Sequence, residues 1–312
     1  MPGGPREYLQ RQLRQNPMQY GLPEDATEQD IQYYLDEFLV VPPDRTIYEA
    51  FFEYMINIHQ GDFGVSYIYS PGTPVVELIA AAAPWTIFIS SIAMVYMLVA
   101  TILFGSFMAY YEGTKFDMGM TIGMLFNGGI PYYIVAIILL YFVGYQLEWF
   151  PTGGRYNTEY QPGYNLDFIG SAFYHAVLPS LSFILTGFGA SALSLRAHAI
   201  RILGEDYIRA ARIRGLSSYK ISTRYLARNS LLPMWTSIMI GLSGLLGGAV
   251  IMETIFAYQG MGLLMFEATI ARDFPLLTAN LVLITFMFVL GTILADLTYA
   301  LIDPRAEQAS MG

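Results

Sequence analysis

The sequence predicts an all-α polytopic membrane protein, and three observations carry that prediction. Hydrophobic residues make up 54% of the 312 positions and charged residues only 13%, against about 25% charged in soluble domains. Several apolar runs reach roughly twenty residues or more, enough to cross a ~30 Å hydrocarbon core at about 1.5 Å per residue. Eight of the sixteen Lys and Arg residues crowd between Arg196 and Arg228, a polar stretch lying between two of those runs. Short basic loops beside membrane spans stay in the cytoplasm, so this segment sets the topology of the chain.

Residues 1–75 come first and are predicted to lie outside. They hold eleven Asp and Glu against four Arg, with Pro and acidic clusters at Gly21–Asp30 and Pro42–Arg45. The opening Met1-Pro2-Gly3-Gly4-Pro5 lacks the charged and apolar regions of a signal peptide. Thr46–His59 has apolar residues at helical spacing and suits a helix lying along the membrane surface.

Residues 76–312 read as the transmembrane domain. Five apolar runs are expected to cross the bilayer, at Pro84–Tyr110, Met118–Leu147, Phe173–Leu195, Leu231–Phe256 and Leu276–Ile302. The second contains Asn127-Gly128-Gly129 and Pro131, which predicts a kinked or loosened helix. Such breaks are tolerated inside protein or along a water-lined path, which makes Asn127, Gly128 and Pro131 a candidate translocation path. Glu148-Trp149-Phe150-Pro151 closes that run with the aromatic character of an interface anchor. Fixing the basic loop, residues 196–232, inside places the C-terminus inside as well and residues 1–75 outside. A tail of that length has no obvious means of crossing, and one further membrane helix ahead of Met1 resolves the count. The alternative is a five-helix protein.

Several function classes are excluded. The chain has no cysteine, so disulfides, thiolate catalysis and Cys-ligated metals are out. His59, His175 and His198 are scattered without ligand spacing, and no metal site is expected. There is no P-loop motif and no His-Glu-x-x-His, so the chain is not an ATPase or a zinc protease in its own right. Its one basic cluster is membrane-proximal, which argues against nucleic acid as a partner. Glu77, Glu253 and Asp296 lie in or beside apolar runs, where an ionised group is costly. They are expected to lock helices together or to sit where water reaches, the alternative being an ion or substrate pathway.

Within the basic loop, Arg201–Arg214 and Ser217–Arg228 each read as a short helix joined at Gly215-Leu216. Ala210 and Ala211 put small side chains beside a turn, and Gly215 can take a positive φ. Such a surface lets another protein approach the backbone closely, with Arg209, Arg212 and Arg214 supplying charge around the contact. Composition alone would read the same loop as a holder of lipid headgroups.

The order of residues decides between these readings. Ala210-Ala211-x-x-x-Gly215, followed by Leu232-Pro233, resembles the EAA loop of binding-protein-dependent ABC importer permeases. Asp206-Tyr207 fits the version typical of the dipeptide, oligopeptide and nickel branch, although Arg209 stands at the motif's leading acidic position. The resemblance extends through Gly61-Asp62-Phe63-Gly64-Val65-Ser66, Pro74-Val75, Pro84-Trp85-Thr86 and His175 with Leu178-Pro179-Ser180. It continues through Glu253-Thr254-Ile255-Phe256, Gly260-Met261-Gly262, Arg272-Asp273-Phe274-Pro275 and Asp303-Pro304-Arg305. Gln259 departs from the family's usual Pro. Pro2-Gly3-Gly4-Pro5 is similar to the sequence that ends the family's first membrane helix.

The resemblance implies the transmembrane fold of a type I ABC importer. It implies that Glu205, Asp206, Tyr207, Arg209, Ala210, Ala211, Arg214, Gly215 and Leu216 form a coupling helix seated on a cytoplasmic ATPase. The implied partners are a second permease subunit in a heterodimer, two ABC ATPase subunits and an extracellular substrate-binding protein. ATP and Mg are used by the ATPases, and this chain binds no cofactor. The implied substrates are di- or oligopeptides, with nickel and sugars carried by other members. The competing reading is a stand-alone channel or secondary transporter, which needs interrupted helices in matching positions. The sequence shows only one such interruption.

Overall fold

A computed structural model describes residues 5–38, 46–221 and 250–302, all helical or loop. The fourth expected run is described only from Val250, and Leu232-Pro233, Arg228 and Asp303-Pro304-Arg305 lie outside the described residues. Helix α1 (Pro5–Gln15), a 3-10 turn (Pro17–Tyr20) and α2 (Glu28–Phe38) build the first unit. Leu9 and Leu13 face Ile31 and Leu35, one turn apart on each helix, and Tyr20, Tyr34 and Tyr67 complete a small core. Burial among these rings pushes the Tyr20 phenol up to about 12. Arg14 donates to Glu28 across the helix pair at 2.6 Å, holding that carboxyl below its usual range. Helix α3 (Ile47–His59) opens with a reciprocal Thr46–Glu49 capping box. Its Tyr48, Phe51, Phe52 and Ile56 are exposed, the face expected to lie along a bilayer.

Among the described residues, two helices are long and apolar enough to cross a membrane outright, α4 (Val75–Tyr110) and, through Phe274–Leu294, α12 (Phe274–Ile302). At 36 residues α4 is about 54 Å long. It begins ahead of the expected Pro84 because Val75–Ala83 is itself rich in strong helix formers, and the chain carries Pro84 inside the helix. Two further pairs qualify as spans only when joined. Helix α5 (Lys115–Gly129) meets α6 (Tyr132–Leu139, extended by a π-helical turn to Gln146) at 83°. Helix α7 (Leu166–Ile184) meets α8 (Gly189–Leu203) at 54°. The first break falls where Asn127–Pro131 predicts it.

The second break corrects the expectation of one continuous helix over Phe173–Leu195 and of a single interruption in the chain. Thr186 returns its hydroxyl to the Ser182 carbonyl, a bond that bends helices. Gly187 and Gly189 follow, and a Cβ on Gly189 would lie 2.2 Å from the Met124 carbonyl oxygen. The glycines let α5 press into the helix at this point.

Packing divides the membrane part into two tiers about the breaks. On the basic side Ala100 and Met108 of α4, Met124 of α5, and Phe188 and Ala192 form one core with Met97, Phe104, Met120 and Leu193. On the far side Trp85, Phe88 and Ile89 of α4 pack with Ala136 of α6, Ala176 and Leu178 of α7, and Phe256 and Tyr258. Among the described helices, α4 alone runs unbroken through both. Val75, Ala82 and the last two helices, α11 (Met261–Ala271) and α12, form a third core beside the far tier.

Buried carboxylates tie the far tier together. Glu253, in α10 (Val250–Ile255), is fully buried. It accepts from Thr86 Oγ1 at 2.9 Å and from the Gly262 and Leu263 amides at 2.7 and 3.0 Å, at the positive end of α11. Thr86 in turn accepts from the Met261 amide at 2.7 Å. No side chain fits at Gly260, where a Cβ would lie 2.4 Å from Thr86 Oγ1. Glu253 is therefore a lock between helices. Glu77 is exposed in the first turn of α4, and the Asp296 side chain lies outside the described part.

Asp273, named in the sequence only within the Arg272–Pro275 match, is the second lock. Its Oδ2 accepts from Ser66 Oγ at 2.6 Å and from the amides of Tyr67, Ile68 and Tyr69 at 2.9–3.0 Å. Its Oδ1 faces the Leu276 amide in the first turn of α12. One carboxylate thus joins the polar N-terminal segment to the last membrane helix. Asp273→Ala strands these buried donors and is expected to cost about 3 kcal/mol. Hydrogen exchange should then accelerate at residues 66–70 while α5 and α8 keep their protection.

Candidate functional site

The basic loop is built on α8 and α9 (Asp206–Ile213). Ile208 and Ala211, three residues apart on one face, are buried against Ala109 at the end of α4 and Ala199 of α8. Leu216 and Ile221 complete this small core. The other face carries Glu205, Asp206, Tyr207, Arg209, Ala210, Arg212, Ile213 and Arg214, all exposed. The helix is thus fixed on one side and open on the other.

Its C-terminus explains the spacing of the motif. Gly215 adopts φ 73° and donates to the Arg212 carbonyl at 2.9 Å, while Leu216 donates to the Ala211 carbonyl at 3.2 Å. These are the two bonds of a Schellman end, with Gly in the left-handed position and an apolar contact between Leu216 and Ala211. Gly215 has nothing within 4 Å of a built Cβ, so its backbone conformation, not crowding, calls for glycine. Arg212 lies 5.7 Å from the Tyr110 ring, a contact between the loop and α4. The Arg209–Asp206 pair is 3.9 Å apart and fully in solvent, where such pairs contribute little.

Of the nine sequence-predicted residues, Ala211 and Leu216 anchor the loop to its own chain, and the other seven face outward. Sequence reasoning missed Ile208, the anchor, and Ile213, which is 81% exposed at the tip. A three-residue apolar spacing was the available signal for Ile208. Above the loop, Arg196 of α8 grips Asp117 of α5 through Nε and Nη2, both at 2.6 Å. Asp117 is buried and accepts a third bond from the Gly113 amide at 3.1 Å. Bidentate geometry and burial make this pair the strong kind.

The predicted path residues fall at the double break. Asn127 Nδ2 donates to the Leu185 carbonyl at 2.7 Å, and the Gly189 amide donates to Asn127 Oδ1 at 2.8 Å. Gly128 runs against Ala190, whose amide nitrogen would lie 3.2 Å from an added Cβ. Pro131, the N-cap of α6, stays exposed. Asn127 and Gly128 thus engage the α7–α8 break directly, and Pro131 does not.

The described residues form a multi-pass helical membrane domain with a basic loop at one end, the class of a membrane transport component. Residues 101–308 match the family of binding-protein-dependent transport system inner membrane components. The chain belongs to that family. It is 30% identical over 294 residues to the oligopeptide transport system permease protein AppB of Bacillus subtilis, covering 94% of this chain and 90% of AppB. It is 30% identical over 275 residues to the di/tripeptide transport system permease protein DppB of Pseudomonas aeruginosa, covering 84% and 81%. An inward-facing structure of the MetNI methionine ABC transporter shares the fold, with a TM-score of 0.57 at 14% identity over 73% of this chain and 97% of that one.

Ile208→Ala removes the anchor and is expected to cost about 2–4 kcal/mol locally. Amides 206–216 should exchange faster in the variant, with α4 and α8 unchanged.

Proposed function

We propose that this chain is a permease subunit of an ATP-driven importer for di- or oligopeptides, coupled to its ATPases through α9. The supporting observation is the loop itself: a helix packed rigidly on α4 and α8, closed by a Schellman end, with Ala210 and charged residues facing out. A force applied to such a helix reaches the membrane helices without being lost in local flexing. The peptide assignment rests on the likeness to AppB and DppB.

In this reading the basic end faces the cytoplasm, and residues 1–75 with the 147–165 loop lie outside. Two ATPase subunits use ATP and Mg, a second permease completes the membrane pore, and a binding protein delivers substrate outside. Closure of the ATPases draws the coupling helices together and opens the pore outward. Hydrolysis resets it. The second helix break meets one requirement of a stand-alone secondary transporter, so that reading stays in the test.

Gentle-detergent purification of the tagged chain from its native host decides between them. Recovery of P-loop ATPases, a second permease and a binding protein supports the importer. Recovery of the chain alone as a stable homo-oligomer supports the secondary transporter. Gly215→Asp strains the Schellman end and adds a negative charge to the docking face. Membrane insertion should persist in the variant while ATPase co-purification and peptide uptake are lost; normal uptake would sink the coupling assignment.

A further inference from the structure

In a continuous helix the Gly189 amide would donate to the Leu185 carbonyl four residues back. Here that bond is open, and the Asn127 side chain fills it with two bonds of its own, to Leu185 O at 2.7 Å and from Gly189 N at 2.8 Å. A carboxamide suits this position because it offers a donor and an acceptor in one plane, as a peptide group does. Side chains inserted into the hydrogen-bond ladder are a recognised cause of sharp kinks, and the kink here is 54°.

We propose that Asn127 is a two-state wedge in the α7–α8 joint, a positioning residue for transport rather than a group that touches substrate. With the amide inserted, the helix is bent. With it withdrawn, Gly189 N–H and Leu185 C=O can pair directly and the helix straightens. In each state both backbone groups keep a partner in the membrane, and the states differ by the two bonds that the Asn127 carboxamide gives up on withdrawal. The net value of such bonds is small enough for both states of the joint to be populated.

The surrounding packing assigns the moving parts. Below the joint, α5 and α8 share one core and the Asp117–Arg196 bridge, and α8 carries α9. Above it, α6 and α7 share the other core, including the stacked Tyr132 and Phe183 rings 4.6 Å apart. Asn127 sits near the end of α5, beside that helix's own 83° turn into α6. Motion of the lower tier therefore withdraws or inserts the wedge. Helix α4, unbroken through both tiers, confines the motion to a swivel about its length.

This inference rests on the coupling reading above, and its test separates the two. The chain has no native cysteine, so pairs of spin labels can be placed at chosen positions of it in the full importer complex reconstituted in vesicles. Phe173→Cys on α7 and Ala197→Cys on α8 report across the joint; Leu125→Cys on α5 with Ala197→Cys reports within the lower tier. The first distance should change between nucleotide-free and ATP-bound complex, and the second should hold. Asn127→Leu, close in shape but without polar atoms, should fix the first distance at its longer value. It should lower peptide taken up per ATP hydrolysed by about tenfold, with ATP hydrolysis and folded yield retained. Asn127→Gln, which keeps both groups, should recover part of the loss. A constant α7–α8 distance in a wild-type complex that performs ATP-driven uptake overturns the wedge and leaves the coupling reading intact. Loss of folded complex in Asn127→Leu, with the wild-type distance unchanged by ATP, reduces Asn127 to a structural staple. A wild-type complex without ATP-driven uptake overturns the coupling reading and the wedge with it.

Discussion

A backbone amide or carbonyl that leaves its helix within a bilayer finds no water to replace the lost bond, so the protein itself must supply the partner. The rest of this structure follows from that constraint. Asn127 supplies the partners for Leu185 and Gly189 at the α7–α8 break, and Glu253 supplies them for Gly262 and Leu263 at the start of α11. Asp273 does the same for Tyr67, Ile68 and Tyr69. Each of these side chains comes from a different element of the chain than the groups it satisfies. Completing the local hydrogen bonds and fixing the tertiary arrangement are therefore one act.

Side chains can reach those groups only if helices approach closely, and lipid tails give apolar helices no hydrophobic reason to do so. Small residues provide the means instead. A Cβ on Gly105 of α4 would lie 2.7 Å from the Ala192 carbonyl oxygen, and one on Gly187 would lie 2.5 Å from Met97 Cε. With Gly128 and Gly189 these positions bring α4, α5 and α8 into near backbone contact. The Asp117–Arg196 bridge then sets the register of α5 on α8 at their basic end. Substituting a larger side chain at Gly189 would displace Met124 and the Asn127 amide together, because both lie within 3 Å of its built Cβ.

The fold class and the first break were legible in the sequence because both are written in composition: long apolar runs, and Asn-Gly-Gly with a nearby Pro. The second break was not legible. Thr186-Gly187-Phe188-Gly189 is unremarkable by itself in an apolar run, where glycine is common, and it becomes a break only when α5 arrives to fill it. The locking roles of Asp117 and Asp273 were not legible for a related reason. Both residues lie at the first turns of helices, where an acid is expected for local reasons, and only the tertiary structure brings Arg196 to one and residues 66–69 to the other. Glu253 stood out because an acid inside an apolar run is costly, and cost is visible without knowledge of its partner. The loop motif was legible as spacing, while the division into an anchored and an exposed face required the positions of Ala109 and Ala199.

In the proposed coupling, that division is what would let a surface loop act on a membrane pore. The Schellman end turns the chain at Gly215 and returns Leu216 to the same core that holds Ile208 and Ala211. A helix of only eight residues has little intrinsic stability; these apolar contacts with α4 and α8 hold it in one orientation. In the proposed coupling, its exposed Ala210 would give a partner access to the backbone, and Arg209 and Arg214 would steer an acidic surface without needing a fixed geometry. Were α9 tethered only by its ends, a partner's movement would be absorbed in the Gly204 and Gly215 turns. Packed as it is, α9 would pass the proposed movement into α4 and α8, and α8 begins at the joint that Asn127 fills.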